Sequence, residues 1–216
     1  MTDLLVFREQ LKKFYSKYEL YLTPVFKFLL ALVTLVMINS SIGYMSELKK
    51  TTVVLVLALM CSVLPMNFIV VVATAVTLGH LYKFSTECAL VALVVFLLLF
   101  ILYFRFASKD TIAVLLTPLC FLLKIPYVMP IAMGLVGTPF SAVSVASGTV
   151  VYYTVSYIIS NASMLGTFED DGALEKFRYI IDGMLGNKAM YVTLVAFVAT
   201  VIVVYFIRRL SVDYAW

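Results

Sequence analysis

Few side chains in this sequence can do chemistry, and they fall in three places. Asn67 and Lys124 flank two proline interruptions, Pro65-Met66-Asn67 and Lys124-Ile125-Pro126, set in otherwise apolar stretches. The Asn67 amide both donates and accepts hydrogen bonds. A helix broken at membrane depth frees backbone groups that can hold a substrate near the midplane, and a lysine at that depth is a costly cation. The second place is the run through Thr138, Ser141, Ser144 and Ser147, interleaved with Gly134, Gly137 and Gly148. Hydroxyls at that spacing line a polar pathway, or small residues let two helices pack closely. The third is His80, the only histidine, read either as a titratable switch or as an ordinary interfacial residue. The two breaks likewise have a plain rival reading as interfacial turns, with Lys124 among the headgroups.

Enzyme chemistry finds little support. The apolar stretches hold no paired carboxylates for acid–base work, and HExxH, GxSxG and P-loop motifs are absent. Glu169-Asp170-Asp171 lacks the regular ligand spacing of a calcium loop. Cys61, Cys88 and Cys120 fit neither a zinc site nor a disulfide framework. No catalytic residue, metal site or cofactor is therefore expected. Without acid or arginine ladders, transport driven through a buried carboxylate is not expected either, and an ATP-driven system would need a separate ATPase chain.

The elements that must position these residues are membrane helices. Apolar residues make up 63% of the 216 and charged residues 13%, against roughly 45–50% and 25% in soluble domains. The sequence therefore predicts an all-α integral membrane protein, with the lipid bilayer as its first partner. Leu4, Phe7, Leu11, Phe14 and Tyr18 recur at helical spacing beside Lys12, Lys13 and Lys17. Residues 1–20 thus read as an amphipathic interfacial helix, without the features of a cleaved signal peptide. Residues 21–216 read as one membrane domain. Four full spans are expected: Pro24 to Tyr44, Ser85 to Phe104, Ser141 to Ser160, and a last span over residues 189–207. Between them lie two Pro-broken helical hairpins, Thr51–Leu64 with Phe68–Gly79, and Thr111–Leu123 with Tyr127–Pro139. Each arm falls short of about 30 Å, so each hairpin is either re-entrant or a pair of short crossings, giving 4 to 8 crossings in all. Residues 161–188 form a polar loop in which Leu174, Phe177, Ile180, Ile181 and Met184 space as an amphipathic helix.

Residues 49–105 and 110–160 follow one pattern: short helix, proline break, short helix, full span. A hairpin adds zero or two crossings, so the two units would form an inverted repeat, unless chance alignment of apolar runs explains the match. Arg8, Lys12, Lys13, Lys17, Arg105, Lys109, Arg208 and Arg209 fall on one side, against Lys49, Lys50, Lys83, Lys176, Arg178 and Lys188 on the other, a small excess that the positive-inside rule makes cytoplasmic. Both termini are then expected in the cytoplasm of a cell-membrane protein. The modest net charge of +4 sits at helix ends and loops, not in a stripe, which excludes nucleic acid as the expected partner.

The block Phe177-Arg178-Tyr179-Ile180-Ile181-Asp182-Gly183-Met184-Leu185-Gly186-Asn187-Lys188 and the ending Tyr205-Phe206-Ile207-Arg208-Arg209-Leu210-Ser211-Val212-Asp213-Tyr214-Ala215-Trp216 resemble a family of uncharacterised bacterial multi-pass proteins, sometimes labelled ABC-transporter permeases. The resemblance implies a helical membrane fold, a permease-like role and spans beyond Trp216; it transfers no site residue. Two functions follow as expectations. One is a non-enzymatic transporter, channel or permease-like subunit, with its site where the two breaks meet, lined by Asn67, Lys124, Thr138, Ser141, Ser144 and Ser147. The other is a membrane scaffold that docks other subunits, or further copies of itself, through the N-terminal helix and the 161–188 loop.

Overall fold

A computed structural model describes residues 2–166 and 173–210, with side chains from residue 17 onward. The acidic run Glu169-Asp170-Asp171 and the ending from Ser211 to Trp216 lie outside the described residues, as do the side chains of the N-terminal amphipathic stretch. The described residues are all-helical: α1 (Thr2–Ser41), α2 (Thr51–Val63), α3 (Asn67–Phe84), α4 (Thr86–Phe106), α5 (Thr111–Leu122), α6 (Val128–Val136), α7 (Ser141–Ser160), α8 (Ala162–Leu165), α9 (Ala173–Leu185) and α10 (Lys188–Arg209).

Five of these helices are long and apolar enough to cross a membrane: the Lys17–Ser41 part of α1, then α3, α4, α7 and α10. Their outer faces expose large apolar side chains, such as Phe26, Val33, Leu98, Ile101, Val192 and Phe206. Water would penalise such a surface and lipid accepts it.

Two expectations need correcting. The N-terminal amphipathic stretch is not a separate interfacial helix; α1 is one unbroken helix of 40 residues that runs through Pro24. Proline removes the single N–H that would bond the Leu20 carbonyl, a loss that membrane helices tolerate. Where four full-length spanning helices were expected, five have the length for it, because α3 does not stop at Gly79. His80 is buried and hydrogen-bonded instead of marking a loop, so the helix continues through Lys83 to Phe84.

Two ends of the bundle can be told apart. At one, Asn39 of α1 meets His80 of α3, α4 begins, and α9 packs over α4 and α7 through the Lys176–Glu87 ion pair and the Tyr157–Tyr179 hydrogen bond. At the other, Asn67 of α3, Tyr103 of α4 and Thr111 of α5 converge, Ala107 meets Ser144 of α7, and α10 ends. Caps fix several starts. The Ser85 hydroxyl accepts from Cys88 N–H at 3.5 Å and donates to Glu87 at 2.5 Å; Asn187 accepts from Met190 N–H at 3.1 Å.

The two units of the sequence pattern are not packed alike. α2 leans on α1, and α3 pairs with α4; α5 pairs with α7, while α6 lies along α10. Close backbone approach builds the second set. A Cβ on Gly148 would stand 2.7 Å from Thr117 Cβ, and one on Gly134 would stand 2.7 Å from Val204 Cβ, so only glycine lets these helix pairs meet. The packing thus gives the repeat no support beyond the order of its elements.

Candidate functional site

A cavity of about 370 Å³ lies between α1, α3, α4, α5 and α7. Its wall is built by one stripe from each helix. Phe96, Leu99, Phe100 and Tyr103 recur every third or fourth residue of α4; Val70, Ala73, Thr74 and Thr77 do so on α3; Val151, Val155, Ser156 and Ile159 on α7. This spacing puts each set on one helical face. The lining carries no carboxylate, amine, guanidinium or imidazole.

Its hydroxyls divide into two kinds. Thr34, Thr77 and Ser147 donate to the carbonyls of Leu30, Ala73 and Val143 at 2.7, 2.8 and 2.8 Å. Each is satisfied within its own helix and presents mainly carbon to the cavity. By contrast, the hydroxyls of Ser41, Thr74, Tyr152, Ser156 and Ser160 make no hydrogen bond to other described residues; the three serines stand toward the end marked by His80, with Thr74 midway along α3 and Tyr152 beside the end of α5.

A polar cluster closes the opposite end. The Tyr103 hydroxyl, almost fully buried, lies 2.9 Å from Thr111 Oγ1, and Thr111 donates to Asn67 Oδ1. Tyr103 Oη also lies within 3.1 Å of Asn67 Oδ1 and 3.3 Å of the Ser108 carbonyl. One proton per hydroxyl orders the chain as Tyr103 to Thr111 to Asn67. It ties the starts of α3 and α5 to the end of α4.

The residues proposed from sequence are not brought together. Ser147 alone lines the cavity. Asn67 lies one hydrogen bond behind Tyr103. Ser141 is buried and accepts from Thr138 N–H at 3.0 Å, a turn-closing bond, while Thr138 itself is exposed. Ser144 is buried against the Ala107 carbonyl at 3.5 Å. These two serines are therefore buried in helix packing, outside the cavity wall.

Lys124 is exposed, with φ +62°. Ile125 N–H bonds the Cys120 carbonyl at 2.9 Å and Lys124 N–H bonds the Phe121 carbonyl at 3.0 Å. This is the paired bonding of a Schellman C-cap, with lysine where glycine is usual. Around it, Phe121 stacks on Tyr152 at 4.3 Å, and Phe121 and Tyr127 meet the buried Phe197 ring at 5.6 and 5.9 Å. The first break is held differently: Lys27 of α1 donates to the Leu64 carbonyl at 3.1 Å. The breaks do not meet, and neither contributes to the cavity.

His80 belongs to a separate polar relay. Its Nδ1 accepts from Met45 N–H at 3.0 Å, so the ring proton sits on Nε2 and donates to Asn39 Oδ1 at 2.6 Å. Asn39 Nδ2 donates to the Leu48 carbonyl at 2.8 Å. The relay binds the segment after α1 to α3. Among the described residues, no group of His, Cys, Asp or Glu could hold a metal ion.

Sequence reasoning missed Tyr103, Thr111 and the cavity stripes. The signal was present, since Tyr103 continues the Phe96, Leu99, Phe100 stripe of α4 as its one hydroxyl. In an apolar span, however, every face looks alike. Comparison with known proteins supplies no further guide: no family model, curated protein or solved structure matches the chain.

Proposed function

We propose that this chain is a non-enzymatic, permease-like membrane transport subunit whose binding chamber is the cavity between α1, α3, α4, α5 and α7. The observation that carries the reading is the chamber itself, lined by five helices and about 370 Å³ in volume, within the range of small-molecule sites. The chamber replaces the two proline breaks as the site. The lack of acid–base groups in its wall favours binding over catalysis. A separate ATPase or further membrane subunits would supply any coupling.

The placement of the breaks supports unequal roles for the two hairpins. α3 is of spanning length and α2 reaches from the level of Asn39 to that of Lys27, so α2–α3 reads as two crossings. α5 and α6 turn back beside Phe197, near the middle of α10, and α6 returns to the α10 terminus, where Arg208 donates to the Leu135 carbonyl. That pair reads as re-entrant. Both chain ends then share a side with Arg105, Lys109, Arg208 and Arg209, and the lysine and arginine rule makes that side cytoplasmic.

Thiol reactivity tests the chamber. Ser147 and Ser156 are replaced singly by cysteine in a protein lacking Cys61, Cys88 and Cys120, and treated with membrane-permeant N-ethylmaleimide. Both should react well above an Ala92→Cys control, a position fully buried in helix packing. Reaction no faster than that control would mean a sealed packing defect and end the transport reading. The scaffold alternative draws on one observation: Leu174, Ile181 and Leu185 form an exposed apolar stripe on α9, beside the buried Ile180 and Met184. Recovery of a stable partner that Leu174→Ser and Ile181→Ser release would favour it.

A further inference from the structure

The geometry points to the acyl chain of a bilayer lipid as the chamber's occupant, admitted sideways over the end of α5; this rests on the transport reading above and names its substrate class. Three observations combine. First, the chamber's interior is apolar in effect. A charged ligand would find no counter-charge, and the hydroxyls of Thr34, Thr77 and Ser147 are already spent on their own helix carbonyls. Desolvating a polar group against such a wall is costly, whereas hydrocarbon loses nothing.

Second, three of the five unbonded hydroxyls gather at one end, while Thr74 and Tyr152 leave single hydroxyls on the otherwise apolar walls of α3 and α7. Ser41 closes α1, Ser156 and Ser160 close α7, and all three line the chamber. The opposite end is shut by Tyr103, whose hydroxyl is turned into the Thr111–Asn67 chain. Apolar depth beneath a hydroxyl rim matches an amphiphile with its chain inward and its ester or headgroup at the rim.

Third, the wall has a gap. α5 runs parallel to α7, with Thr117 beside Gly148 and Phe121 beside Tyr152. It stops at Leu122, whereas α7 continues from Tyr153 to Ser160, roughly 11 Å further at 1.5 Å per residue. α1 and α7 do not pack together. Beyond Leu122, α5 no longer stands between α1 and α7, and there Ile159 is half-buried and Ser160 exposed. The Schellman turn at Lys124 and the Phe121–Phe197 contact hold α5 at that short length.

A phosphatidylcholine carrying a diazirine at its acyl terminus provides the test. The full chain is reconstituted with it, irradiated and digested, and adducts are located by peptide mass spectrometry. Adducts are expected on chamber residues such as Thr77, Leu115 and Val151, besides the exposed α4 positions Leu97 and Ile101. Val151→Trp, filling the chamber from α7, should abolish the chamber adducts and leave those on Leu97 and Ile101. Thr74→Phe should do the same from the α3 wall, so the result does not hang on one variant folding. Adducts confined to the outer faces, or chamber adducts unmoved by both fillings, would overturn the lipid assignment. If Ser147→Cys and Ser156→Cys still react with N-ethylmaleimide, the chamber then takes a different ligand and the transport reading stands. If they do not, both fall together.

Discussion

The turn after α2 and the turn after α5 follow similar short apolar helices and carry a proline at matching places, yet they are secured by unrelated means. At the first, the chain leaves α2 in an extended conformation at Leu64, and one ammonium, from Lys27, meets the Leu64 carbonyl. At the second, Lys124 takes up a left-handed conformation and closes the last turn of α5 from within. A ring of aromatic side chains around Phe197 then grips both arms. A proline break is thus only an interruption. Whether the chain goes on to cross or folds back depends on the side chains of neighbouring helices, far away in sequence.

The sharpest way to break this contrast is Phe197→Ala. Removing the ring both arms touch leaves a buried cavity and should cost about 3–5 kcal/mol. It should also raise the thiol reactivity of a cysteine at position 124, with no change at position 66. Equal effects at both positions, read by labelling in detergent, would show a global loss of packing instead. Next comes His80→Ala, which leaves Met45 N–H and Asn39 Oδ1 unpaired. At about 1–3 kcal/mol for each buried group, unfolding should shift to milder denaturant. Protease should also begin to cut the 43–50 segment while the α5–α6 turn stays protected; a wild-type cleavage pattern contradicts the role given to His80. Lys27→Met removes the one side-chain bond from α1 to the first turn and should cost about 1 kcal/mol, loosening α2 alone; loosening at residues 124–127 as well would couple the two turns. Smallest is Lys124→Gly. Relieving a left-handed lysine should stabilise the protein by about 1 kcal/mol. A lower melting temperature would show that the ammonium has a use beyond the turn.

The all-helical class, the long apolar helices and the positions of both breaks were legible in the sequence, because apolar run length and proline are local properties. The full length of α3 was not. Gly79, His80 and Lys83 look like a loop until Asn39 and Met45, far away in sequence, are seen to satisfy the imidazole. Ser141 and Ser144 carried an ambiguous signal that packing resolves, since a buried serine on a small-residue face serves close helix contact as readily as a polar path. The chamber was hidden for a different reason. Its lining is chemically the same as the lipid-facing surface, so only the arrangement of five helices distinguishes inside from outside.

The unbroken length of α1 has a mechanical consequence. At 1.5 Å per residue its 40 residues run about 60 Å, roughly 30 Å more than the hydrocarbon core of a bilayer. A stiff rod fixed in a bundle is a lever. A roughly 10° change in tilt, well inside the range membrane helices adopt, swings the end of that excess length by about 5 Å. Because Thr34, Ile38 and Ser41 of the same helix line the chamber, a tilt of α1 as one rod would carry part of the chamber wall with it.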